Sequence, residues 1–338
     1  MIYPALLHND SLIGITAPSS GVDINKDTAF DNYKANLNSI GFRTIETSNV
    51  RTGLTPSSPA EIRANEFNSL IYNSEVDMIL CAKGGDLLFE ILDKVDYQAL
   101  KANPKWVQGY SDPTSLLYAI TTKYDIATVY GNDAGAYSMS PMHVSLLNSM
   151  HMLMGKLNIQ HSFDLFEKNK GDSSFGYNLD SKVEWKILFD GENISSGAQV
   201  NFTGRLIGGC VDVLTDLIGT PFDGTKEFID KYANDGIIWY FDNFAMPAER
   251  LYSFLWHMKK CRYFNNASGF IFGRNLFKST FMDFDYEEAV LRPLMDLNVP
   301  IITEADIGHV SPRMAIINGA LGEVIVKNKQ GTVKQLLV

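Results

Sequence analysis

Cysteine and histidine are scarce in this 338-residue chain and long apolar runs are missing, and each shortage removes a class of protein. The three cysteines, Cys81, Cys210 and Cys261, are widely spaced and form no C-x-x-C pair, so neither a zinc site nor a disulfide framework is expected. Reduced thiols in a reducing compartment are the simplest account. No stretch approaches the ~18 uninterrupted apolar residues of a membrane span. The opening Met1-Ile2-Tyr3-Pro4-Ala5-Leu6-Leu7-His8 lacks the basic start and apolar core of a signal peptide, so a soluble cytoplasmic protein is expected. Positive charge is also short: 29 Lys and Arg stand against 39 Asp and Glu, giving a net charge of −10. The basic residues are scattered, the densest group being Lys259, Lys260 and Arg262, which argues against a nucleic-acid surface. Repeats and low-complexity tracts are absent as well.

What is present reads as α/β. Ser11 to Ala17 is a β-branched run that breaks at Pro18-Ser19-Ser20-Gly21, and helical spacing follows from Thr28 to Ile40. Strand and helix signals then alternate: Phe42 to Thr47, Pro59 to Tyr72, Val76 to Cys81, a helix start at Leu87 to Leu92, Trp106 to Tyr110, and Pro113 to Lys123. Such alternation builds a mainly parallel sheet flanked by helices. The order lapses between His161 and Asn201, where Lys168 to Ser174 is polar and Asp190-Gly191-Glu192-Asn193 has hairpin-turn character. From Gly204 a second, smaller α/β region begins, with strands at Ile237 to Phe241, Gly269 to Arg274 and Pro300 to Thr303. Ala248 to Lys260 reads as a helix, and the segment after Ala320 as a strand pair about Lys329-Gln330-Gly331. The expected organisation is therefore 1–160, a linker and irregular insertion over 161–203, and 204–338.

Three segments carry residues suited to chemistry. Gly109-Tyr110-Ser111-Asp112-Pro113 puts a serine at a strand-to-helix junction, where a sharp turn exposes a hydroxyl and aims the next amide at a reacting carbonyl. An N-cap followed by a first-turn proline is the plainer reading of the same residues. Lys83-Gly84-Gly85-Asp86 closes another strand, and paired glycines let backbone amides approach a ligand there, or simply make a turn. Of the six histidines, His309 lies in the loop Gly308-His309-Val310-Ser311-Pro312 just beyond a buried strand, a suitable place for a general base. The acid that would orient it is open at this stage between Asp242, Glu304 and Asp306.

Taken together and in order, these segments resemble the LD-carboxypeptidase family of serine peptidases, which includes the microcin-C immunity peptidases. The motifs are Gly14 to Ser19, Gly84-Gly85, Gly109 to Thr114, Gly204 to Gly209, Leu217 to Pro221, and Gly308-His309 with Pro312 and Gly319. The resemblance implies Ser111 as nucleophile, His309 as base, and the amides of Gly85 and Asp112 as an oxyanion hole. It implies hydrolysis of a terminal D-residue from a murein peptide, or of an aminoacyl-sulfamoyl nucleotide, by a homodimer without metal or cofactor. An inactive binding homologue is the further alternative. Two departures stand out: Asp242 occupies the place usually held by Glu, and Cys210 follows Gly208-Gly209 where relatives often carry Asn. Gly84, Cys210 and Trp185 are the implied substrate contacts, Trp185 as an aromatic that stacks a ligand or else as a buried anchor.

Overall fold

The computed structural model describes residues 1–23, 27–171, 176–195, 197, 199–281 and 283–338, with the side chains of Asp27 and Thr28 left aside. Asp172, Ser173 and Ser174 of the polar segment lie outside the described residues.

Apolar runs of strand length become the inner strands of two sheets. The first has six strands in the order Ile316–Asn318, Thr128–Tyr130, Trp106–Gly109, Val76–Cys81, Leu12–Thr16, Arg43–Glu46. All its pairings are parallel except that of Ile316–Asn318 with Thr128–Tyr130. The central strand Val76–Cys81 is buried at five of its six positions, as expected where helices cover both faces. The second sheet has eight strands: Ile159–His161, Gln330–Leu336, Leu321–Lys327, Val200–Cys210, Ile237–Asp242, Ala267–Gly273, Ile301–Ala305 and Lys186–Phe189. Its four strands from Val200–Cys210 to Ile301–Ala305 are parallel and the rest antiparallel.

The two sheets do not respect the sequence divisions. Ile316–Asn318 returns from the C-terminal region to edge the first sheet, and Lys186–Phe189, inside the expected insertion, edges the second. The turn at Asp190 does form, with the Asp190 amide donating to the Asn193 carbonyl at 3.1 Å. Ala248–Lys260 is the helix its spacing predicts; Leu251, Phe254, Leu255 and Met258 make one buried stripe, each contributing about 1.5–3 kcal/mol. The expected helix at Leu87 is only a 3₁₀ turn over Leu88–Ile91. Among the described residues no helix is long and apolar enough to cross a membrane.

Helix Thr114–Tyr124 joins the halves and is buried from Thr114 to Thr122. The Tyr118 hydroxyl meets Thr225 Oγ1 at 2.6 Å, and the Cys210 amide donates to Thr114 Oγ1 at 3.1 Å. Gly208 and Gly209 are required by this close packing: a Cβ on Gly208 would lie 1.7 Å from the Tyr240 carbonyl oxygen, and one on Gly209 2.4 Å from Thr114 Cγ2. The result is that strands of both sheets end in chemistry-bearing residues at their carboxyl edges, where open α/β sheets bind ligands.

Candidate active site

Ser111 follows the strand Trp106–Gly109 with φ of 65°, a left-handed conformation uncommon for a residue with a Cβ. The turn is locked from both sides. The Ser111 carbonyl accepts from the Thr114 amide at 2.8 Å, and Pro113 folds back so closely that a Cβ on Gly109 would sit 2.7 Å from the proline Cβ. This explains the Gly-x-Ser-x-Pro spacing: glycine makes room for the returning proline. The Asp112 side chain, 2 % exposed, points inward and accepts from the Ser19 hydroxyl and, at 2.9 Å, from the Leu88 amide.

The glycine pair after Val76–Cys81 packs on this turn. A Cβ on Gly84 would lie 3.1 Å from Ser111 Cβ, and one on Gly85 2.3 Å from the hydroxyl oxygens of both Ser19 and Ser20. Ser111, Gly85 and Asp112 line one cavity of ≈ 680 Å³. Among the described residues the amides of Gly85 and Asp112 donate to no protein acceptor. Two such amides beside a serine hydroxyl have the makings of an anion-stabilising pair.

From the second sheet, Ile237–Asp242 ends in a carboxylate that is 0 % exposed. Its Oδ2 lies 2.7 Å from His309 Nδ1, and its Oδ1 accepts from the His309 amide at 3.2 Å. Gly308, with φ of 91°, permits this approach; a Cβ there would fall 2.0 Å from Asp242 Oδ1. Burial pushes the Asp242 carboxyl up, but the charge of His309, hydrogen bonds from His309 and Tyr130, and the charge of Arg313 together hold it below the usual carboxylate range. The imidazole is clasped by rings, with Tyr110 at 5.2 Å and Phe244 at 4.6 Å between centroids. It makes no hydrogen bond to the Ser111 hydroxyl among the described residues, a looseness common in ligand-free hydrolases.

The rival acids are engaged elsewhere. Asp306 accepts from Arg274 at 2.6 Å, from the Trp185 indole at 2.9 Å and from the Phe163 amide at 3.1 Å. Glu304 lies 3.5 Å from Lys278. Trp185 itself is 1 % exposed and packs where a Cβ on Gly331 would come within 2.2 Å of its ring. Of its two readings the structure thus presents the anchor, and the indole does not line the cavity. Cys210 does line it. Register places Cys210 beside Asp242 across neighbouring strands, so that its Sγ lies with Asp242 and His309 ligand atoms within 4.8 Å of one another. Burial, aided by the charges of Asp242 and Asp212, pushes the Cys210 thiol well up and keeps it protonated.

Two residues here escaped the sequence reading. Tyr130, 1 % exposed, donates its hydroxyl to Asp242 Oδ2 at 2.5 Å and accepts from the Ser111 amide at 3.3 Å, tying Ser111 to Asp242 across the two sheets. Burial and the Asp242 charge push its phenol well up, so the proton stays on the oxygen. Its signal was a short β-branched run, Thr128-Val129-Tyr130, ending at Gly131. Arg313 is the second. It stacks 4.2 Å from the Tyr110 ring and donates to the His309 carbonyl at 3.4 Å and Ser311 Oγ at 3.0 Å.

Comparison with known proteins places the chain in a family. Residues 13–131 match the LD-carboxypeptidase N-terminal domain and residues 203–324 the LD-carboxypeptidase C-terminal domain. The microcin C7 self-immunity protein MccF of Escherichia coli is 28% identical over 94% of this chain and 91% of its own length. A probable murein peptide carboxypeptidase of Bacillus subtilis is 25% identical over 65% of this chain and 60% of that one. In fold, the chain is similar to the microcin C7 self-immunity protein solved in complex with aspartyl sulfamoyl adenosine, with a TM-score of 0.80 and 21% identity over 99% of this chain and 98% of that one. With both domains matched across more than half its length, the chain belongs to the LD-carboxypeptidase family of serine peptidases.

Proposed function

We propose that Ser111, His309 and Asp242 form the catalytic triad and that the enzyme hydrolyses an aminoacyl or peptidyl group from a nucleotide-like leaving group. The observation that carries the chemistry is the buried Asp242–His309 contact set behind a serine on a left-handed turn, with two unpartnered amides opening on the same cavity. His309 takes the proton from Ser111 Oγ as that oxygen bonds to the substrate carbonyl. The oxyanion then draws on the Gly85 and Asp112 amides. His309 passes its proton to the departing nitrogen, leaving an acyl-serine that water, activated by the same imidazole, opens to release the acid. Asp242 holds the ring in orientation and balances its transient charge.

The nucleotide reading is supported by the near full-length likeness to the microcin C7 self-immunity protein, which has been solved in complex with glutamyl sulfamoyl guanosine and with aspartyl sulfamoyl adenosine. Release of a terminal D-residue from a murein peptide, with a role in wall recycling, is the second reading; the family's own description favours it. The test is to incubate the protein with an aminoacyl-sulfamoyl adenosine and, separately, with L-Ala-γ-D-Glu-meso-diaminopimelate-D-Ala, with Ser111→Ala alongside. Release of sulfamoyl adenosine that vanishes in the variant supports the first reading. D-Ala release alone moves the function to the second, and turnover that survives in the variant removes Ser111 from the mechanism.

A further inference from the structure

Among the described residues, the wall of the Ser111 cavity holds four carboxylates, Asp86, Asp112, Asp212 and Asp216, and no Lys, Arg or His. Two of the four are committed. Asp112 is held by Ser19 and Leu88, and Asp212 accepts from the amides of Phe244 at 3.0 Å and Ala245 at 3.1 Å, pinning the loop that lays Phe244 on the imidazole. Asp86 and Asp216 are exposed at the mouth and have no hydrogen-bond or ion-pair partner among the described residues. The cation next to the triad, Arg313, is itself buried, with its guanidinium engaged on Tyr110, Ser311 and the His309 carbonyl. The rest of the wall is largely apolar, with Phe89, Leu92, Leu217 and Phe222 prominent. Among the described residues no cationic side chain in this lining neutralises a substrate carboxylate, while two solvated carboxylates face the cavity.

We propose that this cavity selects acyl groups that carry positive charge beside an apolar portion, such as an aminoacyl group with a basic side chain, and that Asp86 and Asp216 set the preference. The proposal rests on the serine-peptidase reading. The cavity is identified by Ser111 and the two free amides, and the carboxylates decide only the charge of what enters. Each partly solvated charge pair shifts affinity by about two- to threefold, in either direction with the sign of the partner. Reversing a substrate side chain from cation to anion against two carboxylates therefore changes affinity on the order of 10–100-fold, and salt screens the difference.

The experiment measures Kd by calorimetry for lysyl-, leucyl- and glutamyl-sulfamoyl adenosine on the Ser111→Ala protein, with and without Asp86→Asn and Asp216→Asn, and hydrolysis of the same three by the unsubstituted enzyme. The expected order is lysyl tightest and glutamyl weakest, with the 10–100-fold spread collapsing to within about threefold when both aspartates are replaced. A glutamyl preference, a spread the double substitution leaves intact, or no binding of any of the three overturns the proposal. Ordered binding without any hydrolysis overturns the peptidase reading alone, so the two failures are distinguishable.

Discussion

Replacing Tyr130 with phenylalanine removes one oxygen and breaks two hydrogen bonds that meet at the centre of the site. The phenol donates to Asp242 Oδ2 at 2.5 Å and accepts from the Ser111 amide at 3.3 Å. The first is a buried bond to a charged acceptor, for which about 1.5–3 kcal/mol is typical; the second leaves the serine turn free to relax from its left-handed conformation. A displacement of about 1 Å in the nucleophile or the imidazole costs on the order of 100-fold in rate, so kcat/KM is expected to fall about 10- to 100-fold with little change in KM. The pH profile carries the more diagnostic signal. Because the Tyr130 bond helps hold Asp242 below its usual range, its loss raises the affinity of that carboxyl for a proton, and an acid limb set by Asp242 moves to higher pH. A merely packing role for Tyr130 would lower stability without moving the limb. A Tyr130→Phe enzyme whose kcat/KM stays within twofold of the parent, with an unshifted acid limb, would refute the reasoning.

Other expectations follow from the same geometry. Gly308→Ala drives a Cβ to within 2.0 Å of Asp242 Oδ1 at a φ of 91°, so activity should drop by about 100-fold or more while the circular-dichroism melt shows the fold retained. Asp133 is raised to about 6, chiefly by burial, against the opposing charge of Arg313 and the hydrogen bond from the Ala136 amide. A carboxyl raised on folding binds its proton more tightly in the native than in the unfolded chain. Its contribution is therefore present below pH 4 and is lost as pH rises to 6. Asp133→Asn abolishes that slope, and urea midpoints at pH 4.5 and 7.5 should show the variant gaining on the order of 2 kcal/mol relative to the parent over the interval.

The parts of the molecule legible in the sequence are those whose signal is local. Val76–Cys81 and Ile237–Asp242 are continuous apolar runs because both faces of their sheets are covered, and Ala248–Lys260 wears its buried stripe at helical spacing. Ser111, Gly85 and His309 were visible because each needs a glycine or proline beside it for reasons of backbone space. The parts that stayed hidden depend on distant partners. Ile316–Asn318 is three residues long and becomes a strand only by pairing with Thr128–Tyr130, nearly two hundred positions earlier. Lys186–Phe189 waits on Ile301–Ala305. No local signal separates Asp242 from Asp306, and the resemblance alone pointed to Asp242, because the difference turns on which carboxylate Arg274 and Trp185 have already claimed. Trp185 is buried because Gly331, in a hairpin far along the chain, leaves space for its ring.

The most direct test of the central claim is intact-mass measurement after exposure to a serine-directed fluorophosphonate, with peptide mapping and with Ser111→Ala and Asp242→Asn in parallel. The account predicts one adduct on Ser111, none in Ser111→Ala, and markedly slowed labelling in Asp242→Asn, whose imidazole loses the charge that orients and supports it. An unlabelled parent protein, or an adduct that persists when Ser111 is gone, would contradict it.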